Sequence, residues 1–183
     1  MTFRRPVLNF FVTLHLALAG PALAQTDTLD SLFDKLAEAE PEEAGRIEGQ
    51  IAAQWSKSGS AAMDLLLRRG EDALEAGDFK LAAEHFTAAI DHAPDFAEAY
   101  NGRATAYYLQ GLIGPSLDDL RRTLDLNPRH FAAMRGLAIL LEELGRPEDA
   151  LEVYGEIRAL HPHLDGVEAA MDRLELELTG QTL

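Results

Sequence analysis

Residues 77–111 read GDFKLAAEHFTAAIDHAPDFAEAYNGRATAYYLQG. The stretch opens on Gly77, closes on Gly111 and carries Pro94 at its middle. Its glycines stand 34 residues apart, and Gly145 follows at the same interval. Pro94, Pro128 and Pro162 keep that interval as well. Small residues repeat with it at Gly70, Ala104 and Ala138, and at Ala82, Ser116 and Ala150. Large apolar residues do so at Leu66, Tyr100 and Met134, and at Phe86, Leu120 and Tyr154. Columns of different residue types that agree on one period mark an array of small units.

Each column has a physical reason. The first helix of each unit is expected over residues 63–76, 97–110 and 131–144. A glycine closes each, because glycine enters the left-handed conformation without a steric penalty. Short turns follow at Asp78-Phe79, at Leu112-Ile113-Gly114 and at Arg146-Pro147. Pro115 and Pro147 then stand at the start of second helices, where a missing N–H costs nothing. The second helices end before HAP, LNP and LHP, since proline disfavours helix in the residue ahead of it. Small columns let paired helices approach, and bulky ones fill the space between units. No unit buries its apolar face alone, so stacking is obligatory.

A 34-residue helix–turn–helix period resembles the tetratricopeptide repeat family. The resemblance covers about residues 63–164 as three units, 63–96, 97–130 and 131–164. It implies an all-α protein, a right-handed α-solenoid whose first helices line a concave face. It also implies a non-enzymatic adaptor or scaffold that holds a segment of another protein there. This chain departs from the family pattern in places. The usual tryptophan position holds Leu66, Tyr100 and Met134, the leucine position Arg69, Arg103 and Leu137, and the tyrosine position Ala73, Tyr107 and Leu141. Arg69 and Arg103 are expected to lay their stems on apolar surface and keep their heads in water.

The flanks differ in character. Residues 1–24 begin with Arg4 and Arg5, continue with an apolar run from Val7 to Ala19 and end in Ala22-Leu23-Ala24. That order is a secretory signal peptide, with cleavage expected between Ala24 and Gln25. The apolar run is short for a bilayer span, which favours a cleaved signal over an uncleaved membrane anchor, and no stable membrane insertion is expected after cleavage. The chain has no cysteine to carry a lipid at that point. A periplasmic location is expected, with full secretion also open. Residues 25–62 follow, with 25–28 expected to be disordered. Leu29, Leu32, Phe33 and Leu36 then take helical spacing, and Ile47, Ile51 and Trp55 recur every four residues. This pair reads either as a degenerate repeat or cap, or as a helical hairpin unrelated to the array. Residues 165–183 form a C-terminal capping helix, with Val167, Ala170, Met171, Leu174 and Leu178 on one stripe and Glu168, Asp172, Glu175 and Glu177 opposite.

Composition narrows the function. The 183 residues carry 16 Lys and Arg against 31 Asp and Glu, a net charge of −15, which repels a phosphate backbone and argues against nucleic acid. Removing Arg4 and Arg5 leaves 14 basic against 31 acidic residues, or −17. With no cysteine, disulfides, thiol catalysis and cysteine-based zinc sites are out. No phosphate loop, metalloprotease or nucleophile-elbow motif is present, so no catalytic residue and no cofactor is assigned. His161-Pro162-His163 brackets a turn, with no third ligand at helical spacing, so no metal is assigned. Asp118-Asp119 and Glu142-Glu143 are adjacent carboxylates that point in different directions on a helix and read as solvated faces. Trp55 reads as a core anchor.

The binding groove is expected on the first helices. The first offers Asp64, Leu67, Arg68, Glu71 and Leu74, the second Glu98, Asn101, Thr105, Tyr108 and Leu109, and the third Ala132, Arg135, Ile139 and Glu142. The partner-binding set is Leu67, Arg68, Glu71, Asn101, Thr105, Tyr108, Arg135 and Ile139. Some relatives clamp a terminal carboxylate on such faces. This chain keeps Asn101 and Arg135 but has Glu71 and Ala132 where a clamp wants amide or positive charge. Acids in excess of arginines, with apolar residues between, favour a neutral-to-basic protein segment with apolar anchors. The chain is expected to be a monomer or weak oligomer. The alternatives are a self-associating structural protein and, behind it, a metal-handling or enzyme accessory.

Overall fold

The computed structural model describes residues 21–181, with side chains from residue 29 to residue 180. Among the described residues the secondary structure is helical, without strands. The helices are α1 (Pro21–Glu38), α2 (Pro41–Trp55), α3 (Ala61–Glu75), α4 (Phe79–His92), α5 (Ala97–Leu109), α6 (Ile113–Leu126), α7 (Phe131–Glu143), α8 (Pro147–Leu160) and α9 (Val167–Gln181). The pairs α3–α4, α5–α6 and α7–α8 are the three units, stacked in chain order, with α9 packed on α8. Residues 1–20 of the signal-peptide reading lie outside the described residues, and its cleavage point falls inside α1. Residues 25–28 are helical as part of α1, not disordered as expected. No helix among the described residues is long and apolar enough to cross a membrane.

The punctuation acts as its chemistry dictates. Gly77, Gly111 and Gly145 hold φ of 75°, 76° and 70°. At each, the next residue's N–H returns to a carbonyl five positions back: Asp78 to Ala73 at 2.9 Å, Leu112 to Tyr107 at 2.9 Å and Arg146 to Leu141 at 2.9 Å. This is the Schellman closure, which satisfies carbonyls the helix end leaves open. Ala93, Asn127 and His161, each ahead of its proline, leave the helical region with ψ of 76°, 90° and 82°. Two residues after each proline a buried side chain turns inward: Phe96, His130 and Leu164. One difference from the sequence reading concerns α6. It starts at Ile113, so Ile113 and Gly114 belong to the helix and Pro115 is its third residue. The first four N–H groups of a helix have no internal partner, so proline is tolerated there too.

Between the first two units the core closes on Phe86, which is 0% exposed. Its ring fills the space left by Gly70 of α3 and Gly102 of α5, where an added Cβ would lie 2.4 and 2.6 Å from ring carbons. Ala104, Leu120, Ala133 and Leu140 form the cluster between the second and third units. The third cluster joins α7, α8 and α9 to the N-terminal hairpin through Leu32, Phe33, Leu36, Ala44, Ile47 and Ile51.

The hairpin α1–α2 therefore lies against the far end of the array. Among the described residues it shares no apolar cluster with α3. It crosses the edge where the proline corners lie. Trp55 stacks on His130, ring centroids 4.3 Å apart, and packs on Phe33 and Phe131. Arg129 pairs with Asp30 at 2.6 Å, its guanidinium 4.3 Å from the Phe33 ring centre. Glu48 meets His161 at 3.3 Å. Of the two readings open for this segment, the packing is that of a hairpin laid across the second and third units, not of a unit stacked ahead of the first.

Candidate partner-binding groove

The first helices of the second and third units, α5 and α7, flank a cavity of about 190 Å³. Asn101, Thr105 and Tyr108 line it from α5, and Ala132, Arg135, Gly136 and Ile139 from α7. Its floor is Ala104, Ser116, Leu120 and Leu140, all buried. Side chains three and four apart share a helix face, which is why these α5 and α7 residues converge. Gly136 keeps the cavity open, since a Cβ there would come within 3.2 Å of Leu120. Ser116 satisfies its buried hydroxyl by donating to the Ala104 carbonyl at 2.8 Å, which leaves the floor apolar in character.

Polar groups stand at the rim. The Tyr108 hydroxyl donates to Glu143 at 2.5 Å, bridging α5 and α7. That hydrogen bond to a carboxylate raises the Tyr108 phenol above its ordinary value. The Thr105 hydroxyl is turned back to the Asn101 carbonyl at 3.1 Å. The Asn101 amide makes one long contact to Glu98, at 3.4 Å. Arg135 is exposed and makes no ion pair among the described residues, so its donors are available at the mouth.

Five of the eight expected groove residues thus come together: Asn101, Thr105, Tyr108, Arg135 and Ile139. The other three do not. Leu67 is 1% exposed and belongs to the core with Phe86, because its side of α3 faces the helix pair interior. Arg68 and Glu71 are exposed on α3, away from the cavity. Partial burial, then the nearby Glu98, raises the Glu71 carboxyl.

Most of the acids counted toward the groove are engaged within the fold. Asp64 accepts the Ser58 N–H at 2.8 Å and its hydroxyl at 2.6 Å. Glu98 meets His130 at 2.9 Å. Glu142 accepts Tyr154 at 2.9 Å and Arg173 at 2.6 Å, and burial with this bond drives the Tyr154 phenol far up. Leu109 is 47% exposed and lies outside the cavity.

Two further expectations are corrected. The Arg103 head is not in water: its Nε and one terminal nitrogen donate to Asp119 at 2.7 and 2.8 Å, and the other to Thr87 at 3.1 Å. Asp119 is accordingly buried, whereas Asp118 is solvated as expected. The missed residues were Gly136 and the floor. Gly102 and Gly136 are one period apart, a column that marked close helix approach. No group of three or more His, Asp or Glu that could hold a metal occurs among the described residues.

Three helix pairs stacked at one period, with a cleft between successive first helices, define a helical-repeat protein. The chain belongs to the tetratricopeptide repeat family: the family model described as "Tetratricopeptide repeat" matches residues 67–113 and 116–165. A tetratricopeptide repeat-containing protein of Rhizobium etli is 31% identical over 153 residues, covering 83% of this chain and 75% of that one. Human tetratricopeptide repeat protein 36 is 40% identical over 119 residues, 62% of this chain and 59% of its own length. Among solved structures, the first TPR of Spaghetti (RPAP3) bound to the HSP90 peptide SRMEEVD superposes with a TM-score of 0.62. That match is 19% identical and covers 66% of this chain and 95% of the other, a likeness of fold.

Proposed function

We propose that this chain is a non-enzymatic protein–protein interaction scaffold of the bacterial cell envelope, which holds an extended partner segment in the groove over α5 and α7. The observation that carries the reading is the cavity between those helices, apolar at its floor and polar at its rim. Apolar cavities of about 150 Å³ accept a benzene-sized group, so one of about 190 Å³ accommodates an aromatic or branched side chain. Asn101 and Arg135, 34 residues apart on parallel helices, then meet polar groups of the bound backbone. A peptide as the class of ligand is supported by the similar domain of Spaghetti, which was solved with one.

The partner's apolar anchor rests on the cavity. A neutral-to-basic character rests on the net charge of −15, since the groove acids Asp64, Glu98 and Glu142 have partners within the fold. The envelope location rests on the signal-like pattern of residues 1–24. Intact mass of exported protein tests it, and a mass that retains Met1 refutes it.

The groove is tested by crosslinking and pull-down from the native envelope, with mass spectrometry of what is captured. Tyr108→Ala and Asn101→Ala should each weaken the captured complex without loss of helicity, Tyr108 the more because aromatic residues at an interface centre dominate binding energy. If both variants bind the partner as the parent does, the groove is not the site.

A further inference from the structure

The columns that stacking buries in the second and third units are open in the first. Ala99 and Ala133 are each 0% exposed, while Leu65, one period earlier, is 41% exposed. Ala106 and Leu140 are 0% and 1% exposed, while the equivalent residue of the first unit is Asp72, on the surface. In the later units the preceding helix pair covers these positions. Among the described residues nothing covers them on α3, because the hairpin that precedes it packs on α7–α9.

The open face has a regular composition. Ala62, Leu65, Arg69, Asp72 and Ala76 follow one another at intervals of three and four, the seam spacing of paired helices. Leu81 of α4, 40% exposed, extends the apolar part of this face, and a shallow groove runs along Arg69, Asp72, Ala73, Ala76, Leu81 and His85. Among the described residues neither Arg69 nor Asp72 has an ion-pair partner.

Along the seam, charge changes sign once: Arg68 and Arg69 precede, Asp72 and Glu75 follow. Two such helices laid antiparallel about a two-fold axis bring Arg69 against Asp72 of the other copy, and Leu65 against its Ala76. Arg68 and Glu75, which flank the seam on one side, meet in the same way. A two-fold pairing needs a patch complementary to itself, and this one is. A head-to-tail contact is disfavoured, because the exposed face of α9 carries Glu168, Asp172, Glu175 and Glu177, which would oppose Asp72 and Glu75.

We infer that the exposed face of α3 is a homodimer interface, occupied by α3 of a second copy in antiparallel, two-fold-related pairing. One helix from each copy makes a small interface, so association is weak and concentration-dependent. The groove between α5 and α7 stays open in the dimer.

The test is sedimentation velocity on protein expressed from its complete sequence and purified in the form the cell leaves it. The parent shows a reversible monomer–dimer equilibrium that weakens with added salt. Arg69→Glu alone sets acid against acid twice per dimer, and Asp72→Arg alone sets base against base. Each weakens self-association by about tenfold or more, since several surface charge contacts change sign at once. Mixing the two variants restores the dimer, because each copy then presents the complement of the other at both contacts. Circular dichroism verifies that the variants keep the parent's helicity, as expected at exposed positions. A strictly monomeric parent, growth past the dimer with concentration, or a dimer indifferent to the variants and to their mixing each overturns the inference. Tyr108→Ala leaves the dimer intact, so failure here and failure of the groove reading are separable.

Discussion

Replacing Arg103 and Asp119, separately and together, tests how the second unit is held. The pair joins α5 to α6 through two hydrogen bonds of 2.7 and 2.8 Å, with side chains 17% and 9% exposed. Asp119 holds the Arg103 guanidinium above its ordinary value, against a desolvation that acts the other way. Removing one member of a buried pair costs about 3–5 kcal/mol, because a charge stays behind without its partner. Asp119→Val leaves Arg103 its bond to Thr87 at 3.1 Å and its place beside the Tyr100 and Tyr107 rings, so the loss falls near 3 kcal/mol on that scale. Arg103→Leu strands a carboxylate with less compensation, and its loss falls near 4 kcal/mol.

The double variant has a precedent inside the chain. One period on, the same columns hold Leu137 and Val153, both packed into the apolar core of the third unit. Arg103→Leu with Asp119→Val therefore copies a solution the fold already uses, and should cost about 1 kcal/mol or less. The coupling between the two sites is then some 5 kcal/mol or more, against a total stability of about 5–15 kcal/mol for a domain. Urea unfolding followed by circular dichroism measures it, urea being preferred because an ionic denaturant screens the pair. Repeat arrays can unfold in parts, so a single variant that splits the transition reports the same weakness within the second unit. Single variants that each lose under about 1 kcal/mol would show that the pair is not desolvated in solution. Additive losses in the double variant would show that the second unit cannot repack as the third does.

Other outcomes follow from single positions. Gly111→Val places a β-branched side chain at φ of 76°, where nothing else obstructs it, and should lower stability by roughly 1–2 kcal/mol through the backbone alone, read as a fall in Tm. Gly102→Ala favours the helix locally, yet drives a methyl to 2.6 Å from the buried Phe86 ring, and should still destabilise by roughly 1–3 kcal/mol. The Tyr154 phenol is pushed up by burial and by Glu142, so the unfolded chain loses that proton first. Stability should therefore be fully present below about pH 10 and decline as pH rises through the folded value, and Tyr154→Phe should flatten the decline in alkaline melts. Trp55, the single tryptophan, packs on Phe33, His130 and Phe131. Its emission should move to the red when Ile51→Asp undocks the hairpin, with most of the far-ultraviolet helical signal retained by α3–α9.

What the sequence made legible was punctuation. A glycine at a helix end and a proline after the next one constrain the backbone within a few residues, so their columns located three helix pairs and their turns. Asn101, Thr105, Tyr108, Arg135 and Ile139 were legible because the face of a helix follows from its period once its neighbours are known. The same reasoning misplaced Leu67, because on α3 the chosen stripe runs along the border between the core and the surface. Arg103 was misread for another reason. Its partner stands 16 residues away on the next helix, and nothing local distinguishes a buried arginine from one whose head reaches water. The hairpin's position was beyond local signals altogether, since it depends on contacts such as Asp30 with Arg129 and Glu48 with His161.

His130 connects that unforeseen hairpin to the groove. Its Nδ1 accepts the Ala133 N–H at 3.2 Å and so caps the start of α7. The ring proton therefore sits on Nε2 and is donated to Glu98 of α5 at 2.9 Å. One side chain thus ties the beginnings of the two groove helices together, three residues before Asn101 on one and five before Arg135 on the other. Trp55 covers the same ring from the hairpin. The separation of α5 and α7, and with it the width of the cavity, is set at this end by a buried polar contact under the hairpin and at the other by Tyr108 and Glu143. A groove held at both ends is preformed, and a preformed site loses less order on binding than one that must close around its ligand.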